Sequence, residues 1–282
     1  MLARTIPENG AKLFGRILIT NDDGLDAPGL AVLEDIATTL ADEVWVFAPD
    51  GNRSGAGRSL TITRDLNVTH HGGTRYSCDG TPTDCMILAL NYFMKDNRPD
   101  LVLSGVNLGM NVADDITCSG TVGAAWEACV HDVPAIALSQ KFNKKRMDLD
   151  NPDNFDASRT FGADVVTELA RHGWPDHVIP NVNFPSVYAD DVKGIKAVHV
   201  GRHKAADDVE KISTDASQSG QYKIGMWRLK DDLNPDSDVG AVFDGYITVC
   251  PLSIDMTENS AKASMDALSQ LSLSTAGHRS AS

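Results

Sequence analysis

Apolar residues along the first two thirds of the chain come in short bursts separated by polar turns. Ile17, Leu18 and Ile19 form one burst and predict a strand; a polar stretch to Pro28 follows, and then Leu30, Leu33, Ala37 and Leu40 recur at the spacing of one helical face. Val44, Trp45, Val46 and Phe47 are an unbroken apolar run, the pattern of a strand covered on both faces, which predicts a parallel sheet. The alternation continues with a helix opened by Thr81 and Pro82 and running through Phe93, a strand over residues 101–103, a helix after Gly120 and a strand over residues 135–138. Residues 141–154 are charged, contain Pro152 and predict a loop. Phe161, Val165 and Leu169 then predict a helix that Trp174 and Pro175 end, before a last core strand over residues 178–184. Two further strands, residues 195–200 and 246–249, flank a polar, Asp-rich stretch and predict a β-hairpin arm rather than more sheet. The resulting division is an N-terminal extension (1–15), an α/β core (16–190), an arm that returns to the core (191–257) and a mobile or weakly helical Ser- and Ala-rich tail (258–282).

Strands alternating with helices imply a doubly wound α/β layer, in which ligands sit beyond the carboxyl ends of the strands. That directs attention to the loops after Thr20, Ala48 and Ser104. Composition sharpens the picture in two ways. With 25 Lys and Arg against 39 Asp and Glu the formal charge is −14, which opposes binding to DNA or to an anionic membrane and leaves a small phosphate ester, neutralised locally, as the easier anion. The five cysteines lack the paired spacing of a zinc site or a disulfide framework, and no long apolar stretch occurs, so reduced, mostly buried thiols and a cytoplasmic location are expected.

The first loop, Thr20-Asn21-Asp22-Asp23-Gly24-Leu25-Asp26-Ala27-Pro28, places two carboxylates side by side at a strand end. Like charges so close invite a cation, although an Asp ahead of a Pro-led helix is also an ordinary cap. The second, Pro49-Asp50-Gly51-Asn52-Arg53-Ser54-Gly55-Ala56-Gly57-Arg58-Ser59, has superficial likeness to a P-loop. Its glycines are one residue too far apart, Arg58 stands where Lys is needed, and the following Leu60-Thr61-Ile62-Thr63 looks β-like, so it reads either as a flexible turn or as hydroxyls completing a hard-cation site. The third, Ser104-Gly105-Val106-Asn107-Leu108-Gly109-Met110-Asn111, leads to Ser119-Gly120-Thr121 at the start of a helix, where N–H groups can hold a phosphate or Ser119 can simply cap the helix.

Taken in order, Ile17-Leu18-Ile19-Thr20-Asn21-Asp22-Asp23-Gly24, Ala48-Pro49-Asp50 with Arg53-Ser54-Gly55, Gly80-Thr81-Pro82-Thr83-Asp84-Cys85, Ser104-Gly105-Val106-Asn107 and Ser119-Gly120-Thr121-Val122-Gly123-Ala124-Ala125 resemble the SurE family of 5′-nucleotidases. Asn181-Val182-Asn183-Phe184-Pro185 and Asp244-Gly245-Tyr246 onward agree as well. The resemblance implies a three-layer, Rossmann-like, mostly parallel sheet with an extended C-terminal β-hairpin arm exchanged between subunits of a homodimer or homotetramer. It also implies one divalent cation per subunit, Mg²⁺ or Mn²⁺, held by Asp22, Asp23, Ser54 and Asn107, and hydrolysis of nucleoside 5′-monophosphates, with 3′-monophosphates and short polyphosphate as further substrates. Gly57-Arg58 departs from the small or polar residues that relatives commonly carry beside the serine loop.

The reaction expected on this basis is in-line attack of an activated water, with Asp22 or Asp23 assisting its deprotonation and Asn111, Ser119, Gly120 and Thr121 meeting the phosphoryl group. Contiguous aspartates are not the Asp-x-Asp of a phospho-aspartate phosphatase, no cysteine has Arg at the spacing of a cysteine phosphatase, and Gly-x-Gly-x-x-Gly is missing after the first strand. The competing reading is a non-catalytic nucleotide or anion sensor on the same scaffold. No histidine receives a catalytic role: His70-His71 reads as a solvated pair and His131 as a residue at a helix C-terminus.

Overall fold

The first strand, β1 (Phe14–Thr20), runs into a turn and α1 (Pro28–Leu40), whose residues Leu30, Leu33, Ala37 and Leu40 are all buried, as their spacing predicts. The computed structural model describes residues 1–6, 11–143, 152–202, 204–206, 208–212, 220–225, 228–229, 233–258 and 262. The chain continues through β2 (Ala41–Pro49), a short edge hairpin β3 (Val68–His70) and β4 (Arg75–Cys78), and α2 (Pro82–Leu88), extended by a π-helical turn to Phe93. Thr81 and Asp84 form a reciprocal capping box that fixes where α2 starts. Then come β5 (Leu101–Leu108), α3 (Gly120–Val130), β6 (Ala135–Gln140), α4 (Asp156–His172) and β7 (Val178–Phe184).

With β8 (Ile195–Ala197) and β13 (Ile247–Ser253) these strands form one nine-stranded sheet in the order β3-β4-β2-β1-β5-β6-β7-β13-β8, parallel from β4 through β7. Successive side chains leave a strand on opposite faces. Ile17, Ile19, Leu101, Leu103 and Ile136 pack with α1 and α4 on one side, while Leu18, Phe47, Val102, Ala135 and Ala137 pack with α2 and α3 on the other. The result is a three-layer α/β architecture, as expected. Each fully buried Leu, Ile or Phe contributes about 1.5–3 kcal/mol. The alanines of β6 have a separate consequence: together with Gly123, Ala124, Ala125 and Ala128 they let α3 lie close to the sheet.

Three elements differ from the sequence expectation. β5 continues to Leu108 instead of ending at Leu103, because β6 follows it through a register shift between Ser104 and Asn107. Residues 60–63 form no strand; the Thr61 N–H is taken by Asp84 Oδ1 at 3.0 Å rather than by a neighbouring strand. The segments flanking the arm are sheet: β8 (Ile195–Ala197) is an edge strand, and β13, the strand after α5 (Asp238–Phe243), covers Ile247–Ser253 and pairs antiparallel with β7 and parallel with β8. Between them, β9 (Lys204–Ala206), β10 (Val209–Lys211), β11 (Tyr222–Ile224) and β12 (Arg228–Leu229) make two short antiparallel ladders, β10 with β11 and β9 with β12. The expected tail beyond Glu258, Lys262 excepted, and residues 144–151 of the expected loop lie outside the described residues. Among the described residues no helix is long and apolar enough to cross a membrane.

Candidate active site

The strand order reverses between β1 and β5, and the three loops singled out from the sequence meet at the carboxyl ends of the strands there. Asn21 braces the first loop, its amide donating to Gly24 O at 2.8 Å and accepting from Gly24 N–H at 3.2 Å. No side chain caps α1, whose N-cap is Ala27, so the capping alternative for Asp22, Asp23 and Asp26 does not hold. The second loop is tied to the first by Arg53 N–H donating to Asp22 O at 2.7 Å and Leu25 N–H to Pro49 O at 2.9 Å.

Asp22 is buried, and its Oδ1 accepts a 2.6 Å hydrogen bond from the Thr121 hydroxyl. Burial pushes its carboxyl pKa up, and the Thr121 bond partly offsets that rise. Asp23 Oδ2 accepts from Leu108 N–H at 3.3 Å, linking the first loop to the end of β5. Burial, and then the charge of Asp22, push Asp23 up to about 6. Ser54 N–H donates to Asn52 Oδ1 at 2.8 Å. Asn107 commits its amide N–H to Gly109 O at 2.8 Å, which leaves the carbonyl oxygen as the donor atom for a ligand.

Two openings adjoin this cluster. A cavity of about 290 Å³ is lined by Asp22, Ser54, Asn107, Asn111, Cys118 and Ser119. One of about 440 Å³ is lined by Asp23, Asp26, Asp50, Asn52 and Phe155, and shares Ser54 and Leu108 with the first. Of the four residues expected to hold a cation, Asp22, Ser54 and Asn107 border the smaller cavity and Asp23 the larger, and Ser54 borders both.

The donor set suits a hard divalent cation: two carboxylates, a hydroxyl and an amide carbonyl, all oxygen. Among the described residues no three His, Cys, Asp or Glu gather as a metal cluster, and Cys118 is the lone thiol in the lining of the two cavities, so the region does not present the set of nitrogen and sulfur ligands of a zinc centre. A cation would also relieve the electrostatic conflict that Asp23 records, since two adjacent, largely buried carboxylates favour retaining a proton until positive charge compensates them.

The four residues expected to meet phosphate divide by what they touch. Ser119 caps α3, its Oγ accepting from Val122 N–H at 3.1 Å, so its hydroxyl has the ordinary helix role. The Thr121 hydroxyl is engaged with Asp22, which makes it a partner of the carboxylate pair. Gly120 lies so close to Asp22 that a Cβ at this position would come 2.8 Å from Asp22 Cβ. The N–H groups of Gly120 and Thr121 are the first of the helix and have no intrahelical acceptor, which suits an anion. Asn111 lines the smaller cavity: its N–H donates to Asn183 Oδ1 at 2.8 Å, its amide pairs with Ser139 Oγ at 2.8 Å, and its carbonyl accepts from the amides of Asn181 and Asn183.

Sequence reasoning did not single out Asn181, Asn183 or Ser139 for this support; the signal was two asparagines alternating with apolar residues in a strand covered on both faces. It also missed Glu127, a buried acid on an otherwise small and apolar helix. Among the described residues no histidine lines the cavities at the cluster: His70 stacks on Tyr76 with ring centroids 4.6 Å apart, and His131 is the C-cap of α3.

Residues 17–207 match the family model described as survival protein SurE. The chain is 44% identical over 245 residues to a protein named 5′-nucleotidase SurE from Erythrobacter litoralis, covering 87% of this chain and 96% of the relative. It is 38% identical over 270 residues to the protein of the same name from Parvibaculum lavamentivorans, covering 95% and 96%. Its fold is similar to the crystal structure of the SurE protein from Aquifex aeolicus, with a TM-score of 0.78 at 33% identity over 90% of this chain and 99% of that one.

Proposed function

The chain belongs to the SurE family, and from that premise we propose that it is a divalent-cation-dependent phosphomonoesterase that hydrolyses nucleoside 5′-monophosphates to nucleoside and phosphate. The observation that carries this reading is the pair Asp22 and Asp23 at the sheet's switch point, largely buried, with Asp23 raised to about 6 and oxygen donors from two other loops beside it. Asp22, Asp23, Ser54 and Asn107 would hold the cation, which when bound neutralises phosphate charge and lowers the pKa of water.

The protein's own groups supply the rest. Thr121 holds Asp22 in one orientation, which keeps that carboxylate a fixed acceptor. Asp23, partly open toward the larger cavity, is the carboxylate we assign to take the proton of the attacking water. Asn111 and the first N–H groups of α3 receive the phosphoryl oxygens, with the helix N-terminus favouring their charge. Substrates of the same chemistry, 3′-monophosphates and short polyphosphate, are proposed as secondary. We place the reaction in the cytoplasm, consistent with five unpaired thiols, and assign the exposed apolar arm strands to assembly with a second copy of the chain.

The deciding experiment is phosphate release from 5′- and 3′-monophosphates and short polyphosphate, with EDTA or with added Mg²⁺ or Mn²⁺, for the wild type and Asp23→Asn. Release that requires the cation and falls at least 100-fold in the variant is expected. Release in EDTA, or nucleotide binding without turnover, overturns the proposal.

A further inference from the structure

Ser54 is the ligand with least local support. Asp22 is buried and held by Thr121, and Asn107 is built into β5, whereas Ser54 sits exposed in a glycine-rich loop and its own backbone bond reaches only to Asn52. What fixes this loop lies on either side of it. Upstream, the Arg53 guanidinium donates to Gly80 O at 3.2 Å, Asp79 O at 3.2 Å and Asp50 Oδ1 at 2.7 Å. Downstream, Arg58 places Nε at 2.9 Å and Nη2 at 2.6 Å from Glu127 Oε2.

Glu127 is unusual. Its side chain is only 6% exposed on a helix otherwise made of small and apolar residues, and a carboxylate so placed is costly unless paired. Arg58 supplies two donors to one oxygen, and His131 Nε2 lies 3.2 Å from the other. The backbone contact beneath the pair is equally close: a Cβ at Gly123 would come 2.9 Å from Gly57 O and 3.1 Å from Arg58 Cα. The loop is therefore seated on α3 by shape at Gly123 and fastened there by charge at Glu127. The same helix also orients Asp22 through Thr121.

We infer that Arg58 is a positioning residue for the cation site: by pinning the downstream end of the Ser54 loop to Glu127 on α3, it holds the Ser54 hydroxyl in register with Asp22 and Asp23. Arg58 touches none of the reacting groups. Its guanidinium fork is what the task requires, because a lysine at this position carries the charge without two fixed donors. The inference rests on the cation reading proposed above and extends it to a residue outside the ligand set.

The test is direct titration of Mn²⁺, free ion followed by electron paramagnetic resonance, into EDTA-treated and desalted full-length protein. The variants are Arg58→Ala, Arg58→Lys, Ser54→Ala and the double Ser54→Ala/Arg58→Ala, each with its thermal midpoint measured without metal. We expect Arg58→Ala to weaken Mn²⁺ binding about ten-fold, as loss of a ligand's supporting partner does, and Arg58→Lys to recover only part of it. In the Ser54→Ala background the Arg58 change should cost less than two-fold, because its effect passes through Ser54. An Arg58→Ala protein with a lowered midpoint but wild-type Mn²⁺ affinity overturns the inference and leaves a structural salt bridge. Equal losses in both backgrounds overturn it too. Should Arg58→Ala not fold, Arg58→Lys carries the same comparison. A wild type that binds no Mn²⁺ overturns the cation reading itself, and the inference with it.

Discussion

Asp23 sits where burial and the charge of Asp22 both favour its neutral form, so the site works against the stability of the protein that contains it. Its folded pKa is about 6 against an ordinary value of 3.8. Between those values the native state holds a proton that the unfolded chain has released, so stability is highest below about pH 4 as far as this group is concerned and falls as pH rises through 6. At about 1.4 kcal/mol per pH unit the loss is about 3 kcal/mol. Urea denaturation in EDTA from pH 4 to 7 should show this decline, and Asp23→Asn should flatten it. The variant should therefore be more stable than the wild type at pH 7 without metal while losing activity; a variant no more stable than wild type would mean that the carboxylate pair is not strained. At this scale the sequence was informative because two adjacent acids at a strand end carry a signal of their own. The partners that orient them, Thr121 and Leu108 N–H, lie far away in the chain and become visible only once β5 and α3 converge on the first loop.

At the scale of elements, hydrophobic spacing located β1, β2, β5, β6 and β7 and the helices α1 to α4 that cover them, since each buries a face whose period is its own, but not β4, whose Arg75-Tyr76-Ser77-Cys78 carries no apolar run. It failed where backbone groups find partners outside that pattern. β5 was read five residues too short because Ser104 and Gly105 interrupt the apolar run, although β6 continues to pair through the shift and so aims Asn107 at the site. Gly105 is required there: its φ is +137°, and a Cβ would meet Leu138 O at 2.1 Å. The start of α3 offers the sharper experiment. Gly120 allows the helix to dock against Asp22, and Gly120→Ala would force a methyl to 2.8 Å from Asp22 Cβ and 3.0 Å from Oδ2. Overpacking of this kind costs about 1–3 kcal/mol. Denaturation should register that loss, and phosphate release should fall with it, because the displaced carboxylate is the buried one of the pair. Unchanged stability would mean that α3 is not seated on the loop.

For the whole molecule, the nine-stranded sheet accounts for itself: both faces are covered by helices, and the switch between β1 and β5 creates the crevice where the three loops meet. The arm does not account for itself in the same way. Its two ladders have two strands each and are not joined to the main sheet, and a lone two-stranded ladder is marginal in water. It also carries Val209, Ile212, Tyr222 and Ile224, which are 58–78% exposed. Apolar residues gathered on such a small element call for cover, and with a formal charge of −14 the chain has little tendency to associate except through a specific contact. A second copy laying its arm against this one would supply that cover and add strands to each ladder. Replacing residues 208–225 with a short Gly-Ser linker should then leave the circular dichroism of the core unchanged but convert an oligomer to a monomer in sedimentation velocity, since the deletion removes only the exposed ladder. A wild-type chain that sediments as a monomer at tens of micromolar would rule out assembly through the arm, as would a deleted chain that stays oligomeric. Activity of a monomeric deletion variant would further show that the cluster around Asp22 and Asp23 is complete within one subunit, as expected if every ligand comes from the three loops of a single sheet edge.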